Sequence, residues 1–408
     1  MTVAPAPGPG WRATLAAILA AAIVVSLNVG KLPPALPALR AEFGLDLVAA
    51  SLLVSFFQLA GMLLGLFGGM LADRFGPRRV MRTGLIVAAA GSGLGALAPD
   101  AAVLLASRAV ESAGFILAVL PGPALLARSV PPARLRAVMG AWSAYMPSGM
   151  AAGLVLTPLV LETLGWRVAW WAIAAACAAM AVLLGRMVVP DAAQGGATHG
   201  ALSLVRDTLR SPRPWVLALA FGCYAAQWMG VFGFLPTLYT EAAVPLALAG
   251  TLTAAGVAIN VVGNLASGVL LQRGVPRQVP VVVAALSMIA GAWLCFAAEG
   301  APFWLRYAGV LLFSGAGGLI PGTLFASTAA YAPHPRAVGT TTGLMQQGST
   351  LGQFLSPPLI AAVHAASGGW HNTGWATAAL AAGDLAAAWA IARFDAADRR
   401  ARARSAAA

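Results

Sequence analysis

Charge is what this chain has least of: 9% of its 408 residues are Asp, Glu, Lys or Arg, against 60% hydrophobic residues. So little charge cannot clothe a water-soluble globule, and an ordinary soluble domain is excluded. Lysine is absent except for Lys31, and the 25 basic residues face only 13 acids. Cys177, Cys223 and Cys295 stand singly in apolar stretches. Without paired spacing they offer neither a disulfide framework nor a metal site, and they read as buried free thiols. The four histidines (His199, His334, His364, His371) fall in loops or at helix ends. Glu111 and Asp384 are the acids inside apolar segments, and they lie on different ones. Intramembrane hydrolysis, which needs paired acids, a Ser–His pair or metal ligands in the span, is therefore not expected. A GxxxxGKS phosphate loop is missing too, so ATP drive is unsupported. Neither an enzyme, a metal nor a cofactor is expected.

What is present is a series of apolar segments of membrane-crossing length. The pattern predicts an all-α integral membrane protein of twelve transmembrane helices. They fall near 13–37, 47–72, 83–98, 101–126, 138–161 and 168–189, then near 215–240, 248–271, 279–298, 303–329, 338–363 and 374–393. Residues 1–189 form a first six-helix half, 190–214 a polar cytoplasmic linker, 215–394 a second half, and 395–408 a basic, disordered cytoplasmic tail. With the N-terminus inside, 20 of the 25 basic residues fall in cytoplasmic segments, while outer loops carry only Arg40 and Arg167 beside several acids. The net charge of +12 is thus topology and not a nucleic-acid footprint. The first helix lacks a charged n-region and a cleavage site, and is expected to be retained.

One stretch carries the densest charge: Gly69-Met-Leu-Ala-Asp73-Arg74-Phe-Gly76-Pro77-Arg78-Arg79. Gly76 and Pro77 suit a sharp turn. The stretch recurs 199 positions on as Gly268 to Arg277, and the same offset pairs Asn28 with Gln227, Arg74 with Arg273 and Gly149 with Gly348. Such a repeat predicts tandem halves with a site between them. Asp73 has Gln272 as counterpart, so the second loop lacks the acid.

The first stretch resembles the signature loop between helices 2 and 3 of the major facilitator superfamily. Arg108-Ala-Val-Glu111-Ser112-Ala-Gly114 resembles that family's helix-4 motif, and Gly149-x-x-x-Gly153 with Pro158 its helix-5 motif. Asn264 to Gly274 is similar to the cyanate and nitroimidazole permease branch. The resemblance implies a secondary transporter working by alternating access, in the plasma (inner) membrane of a bacterium and with both termini cytoplasmic. It further implies a gating role for Gly69, Asp73, Arg74, Gly76, Arg78, Arg79 and Arg273.

Polar residues inside the spans are the remaining candidates. Lys31, one turn after Asn28, reads as an anion-binding residue or as a lysine snorkelling to the outer headgroups. Arg108 and Glu111, three apart on one face, read as substrate and proton-coupling groups or as a structural ion pair. Arg306 either faces the cavity or anchors the outer interface. Asp384 reads as a structural partner. Tyr145, Tyr224, Gln227, Trp228 and Gln346, with Gln58, Trp142, Asn260, Asn264, Gln347 and Gln353, are uncharged candidates for a cavity lining or for helix–helix hydrogen bonds. Once Arg108 and Glu111 cancel, Lys31 and Arg306 leave the cavity positive, which predicts a small organic anion imported with protons by a monomer. Proton-coupled efflux of a drug-like or metabolic compound is the alternative.

Overall fold

The computed structural model describes residues 11–45, 47–188, 201–296, 300–367 and 369–407. Residues 190–200 of the expected linker and the acid Glu299 lie outside the described residues. A chain this apolar must satisfy its backbone polar groups within each segment, and among the described residues it forms helices and no strand. In the first half these are α1 (Trp11–Phe43), α2 (Leu47–Phe75), α3 (Pro77–Ala96), α4 (Ala101–Ser129), α5 (Pro132–Leu164) and α6 (Trp166–Met187). The second half comprises α7 (Pro212–Phe232), α8 (Leu246–Gln272), α9 (Gln278–Phe296), α10 (Phe303–Tyr331), α11 (Val338–Ser367) and α12 (Thr373–Ala407).

Among the described residues, ten segments are long and apolar enough to cross a membrane. α3 and α11, of 20 and 30 residues, complete the series but are more polar. α3 opens with Arg78, Arg79 and Arg82, and α11 carries Thr340 to Thr342, Gln346 and Gln347. Large apolar side chains such as Leu156, Leu286, Trp304 and Trp375 point outward, as a lipid-facing surface requires.

Packing repeats with a shift of six helices. α1 packs on α5 and α6, α3 on α4 and α6, and α2 on α4; α7 likewise packs on α11 and α12, α9 on α10 and α12, and α8 on α10. Between the sets, α2 meets α11 and α5 meets α8. Small residues permit the close α2–α11 crossing: a Cβ on Gly65 would lie 2.9 Å from the Gly343 carbonyl oxygen. The two loops turn through left-handed glycines, Gly76 at φ 94° and Gly274 at φ 85°. The second turn thus falls one residue earlier than the repeat offset implies.

One expectation is corrected. The tail is helical, because α12 runs unbroken to Ala407. Its alanines and arginines favour helix, and Asp395 and Asp398 pair with Arg277 at 2.7 Å and Arg213 at 2.5 Å. Within the expected linker, Ala201–Arg210 is an amphipathic helix, and α7 begins at Pro212.

Candidate functional site

The first half buries a charge cluster. α1 breaks at Gly30, which packs so tightly on α5 that an added Cβ would lie 2.9 Å from the Gly153 Cα. The break directs Lys31 inward, where it is fully buried. Its Nζ donates to Glu111 Oε1 at 2.6 Å, Ser92 Oγ at 2.7 Å and Asn28 Oδ1 at 2.8 Å, and it lies 4.4 Å from the Trp170 ring centre. An ammonium has three N–H donors, and all three are used. Glu111 Oε2 accepts from Arg108, whose guanidinium also donates to the Asn28 carbonyl at 3.0 Å. Lys31 and Arg108 against Glu111 leave the cluster with one positive charge in excess.

A cavity of about 70 Å³ lies between the two sets of helices. Phe57, Phe115 and Tyr145 wall it from the first half, and Phe221, Tyr224, Trp228 and Phe325 from the second. The amides of Gln58, Asn260, Gln346 and Gln353 supply polar contacts, and its lining holds no charged side chain. Gln58 Nε2 donates to Gln353 Oε1 at 3.0 Å across the two sets, and Asn260 Nδ2 donates to the Tyr224 hydroxyl at 3.1 Å. Arg108 stands behind this wall, its guanidinium 4.7 Å from the ring centre of Phe57.

Tyr145, Tyr224, Trp228 and Gln346 therefore meet at the cavity, as the sequence suggests. Asn28, Lys31, Arg108 and Glu111 also come together, but one layer behind it. Gln227 turns away from it and donates to Asp384 Oδ2 at 2.7 Å. Arg306 is in neither place: it sits in the first turn of α10, half-buried, and donates to the Cys295 carbonyl at 3.0 Å. The positive excess thus arises from Lys31 joining Arg108 and Glu111, and not from Lys31 with Arg306. Of the other amides, Gln347 donates to the Met62 carbonyl at 2.7 Å and so ties α11 to α2, whereas Asn264 donates to Asn260 at 2.8 Å, one turn away on the same helix.

At the arginine-rich end, Asp73 reaches the start of α11. It accepts from the Gly339 N–H at 2.9 Å and from the N–H and hydroxyl of Thr340, both at 2.6 Å. A carboxylate at a helix N-terminus satisfies unpaired N–H groups and the helix dipole, and here the cap comes from the opposite half. Arg78 donates to the Gly185 carbonyl at 2.5 Å, tying α3 to α6. Arg74, Arg79 and Arg273 are exposed. At the repeat-related place, the exposed side chain of Gln272 donates to the Ala133 carbonyl in the first half.

Sequence reasoning missed Ser92, Trp170 and the phenylalanine walls. Ser92 carries no signal, whereas Phe57 lies beside Gln58, and Phe115 four residues from Glu111 on one helix face.

Comparison with known proteins agrees with this architecture. The model of the Major Facilitator Superfamily matches residues 18–357. The cyanate transport protein CynX of Escherichia coli (strain K12) is 27% identical over 263 residues, 63% of this chain and 66% of that protein. The puromycin resistance protein pur8 of Streptomyces alboniger is 31% identical over 188 residues, covering 46% of this chain and 36% of that protein. Each match spans less than two thirds of the relative's length. Among solved structures, the transporter FucP in the outward conformation superposes with a TM-score of 0.78 at 16% identity, covering 94% of this chain and 99% of that one.

Proposed function

Because the chain belongs to the Major Facilitator Superfamily, we propose that it moves a small, planar organic anion across a bacterial inner membrane by alternating access, taken up with protons. In this reading the two halves, 1–189 and 215–394, rock about the central cavity. The observation that carries it is the cavity itself: both halves supply its walls, with one excess positive charge buried behind Phe57. Fixed positive charge in a low-dielectric surround favours anions. An uncharged lining of aromatic rings and amides favours one whose charge is delocalised and whose flat part stacks. CynX, named for cyanate transport, supports an anion.

Glu111, held by Lys31 and Arg108 on its two carboxylate oxygens, is the acid of the first half through which coupling would run when the cluster opens. In this reading the Asp73 cap and the α2–α11 crossing hold the arginine-rich end, on the cytoplasmic side, closed.

The second reading, efflux of a drug-like compound, is favoured by the aromatic lining and by the resistance protein among the relatives. A thermal-shift screen of the purified protein against cyanate, planar aromatic carboxylates, aliphatic carboxylates and aromatic cations separates the two. Stabilisation by planar carboxylates above the other classes is expected. Stabilisation by aromatic cations alone selects efflux.

A further inference from the structure

The second buried acid has a different setting. Asp384, three turns into α12, is fully buried. Among the described residues no arginine, lysine or histidine pairs with it. The helices around it explain why. α12 packs against α7, α9 and α11. α9 contains no Asp, Glu, Lys, Arg or His, and α11 offers only His364 near its far end. On α7 the basic residue is Arg213, fourteen positions before Gln227, and on α12 the nearest is Arg393, nine positions on. The titratable groups facing Asp384 are Cys223 and Tyr224, both on α7.

An uncompensated carboxylate in such a place is strongly unfavourable. The hydrogen bonds show how the cost is avoided. Gln227 Nε2 donates to Asp384 Oδ2 at 2.7 Å. Asp384 Oδ1 and Gln227 Oε1 are both buried and both without a partner. Neither acceptor can satisfy the other, and one proton on the carboxyl supplies a donor where both lack one. With an O–H on Oδ1 directed to Oε1, carboxyl and amide form a closed pair of two hydrogen bonds.

We infer that Asp384 holds a proton in this conformation, and that Asp384 with Gln227 is the proton-carrying site of the second half. Gln227 occupies the repeat position of Asn28, which contacts Lys31 in the first half. Each half therefore presents an amide of its first helix to a buried charged or titratable group. The first cluster compensates its acid with two cations, the second with one proton. Trp228, the next residue on α7, and Tyr224, one turn before Gln227, both line the central cavity. Movement of α7 during exchange between states thus has a direct route to open or close the acid–amide pair. Only this use of the proton rests on the transport reading.

Infrared spectroscopy of the full chain in lipid at neutral pH tests the site without any substrate. The wild type should show the carbonyl stretch of a protonated carboxyl, Asp384→Asn should lack it, and Asp384→Glu should restore it at a shifted frequency. The double variant Lys31→Met/Glu111→Gln, which keeps the net charge of the first cluster, should retain it. A wild type without the band, a band that survives in Asp384→Asn, or one lost in the double variant overturns the assignment. If the band behaves as expected while transport proves independent of the proton gradient, the proton site stands and the coupled-uptake reading fails.

Discussion

Lys31 shows how much a single residue can be read from composition, and where that stops. Its isolation among arginines and its absence from the repeat-related position mark it as special. The contacts that define it come from Ser92 on α3, Glu111 on α4 and Asn28 one turn away, and only folding brings these together. With every N–H donor engaged, Lys31 acts first as a partner of Glu111. Lys31→Ala leaves Glu111 its arginine and should cost about 1–3 kcal/mol, the loss of hydrogen bonds to a charged group. Glu111→Gln strands two buried cations and should cost about 3–5 kcal/mol, as broken buried pairs do. Thermal denaturation of the two variants in lipid checks the order. Equal losses would mean that the cluster does not share one acid between two bases. Amine-reactive reagents should label Lys31 slowly in the folded protein, and no other lysine confuses that readout.

Among the elements, the α2–α3 loop and the start of α11 form the clearest unit. The sequence marks the loop by its charge and its glycines, and the structure places it at a helix junction. Its partner was not legible, because Gly339 and Thr340 lie 266 and 267 positions downstream and backbone N–H groups that donate to a cap leave no side-chain signature. Asp73→Asn keeps one acceptor but removes the charge, weakening the cap by about 0.5–2 kcal/mol. That suffices to shift a two-state equilibrium away from closure at this end. Gly65→Leu should act in the same direction through backbone contact with Gly343. Cysteine accessibility around α2 and α11 should rise in both variants, and unchanged accessibility would remove the latch from the account. The order of the long apolar helices was legible because apolar length and turn chemistry are local. The helical tail was not, since its ion pairs to Arg213 and Arg277 are long-range.

For the whole molecule, the repeat in sequence reappears as a repeat in packing, with the cavity where the two sets meet. Its phenylalanine walls escaped sequence reasoning because an apolar ring lining a cavity looks the same as one facing lipid or core. We propose that these halves exchange access to the cavity by moving against each other. Spin-label distances test it without a substrate, in a background with Cys177, Cys223 and Cys295 replaced by alanine. One label pair, at Phe75 and His334, reports on the arginine-rich end; the other, at Arg40 and Ala242, reports on the opposite end. In lipid, Asp73→Asn should lengthen the first distance and shorten the second together. Two unchanged distances, or two that lengthen in concert, would contradict alternating access between rigid halves.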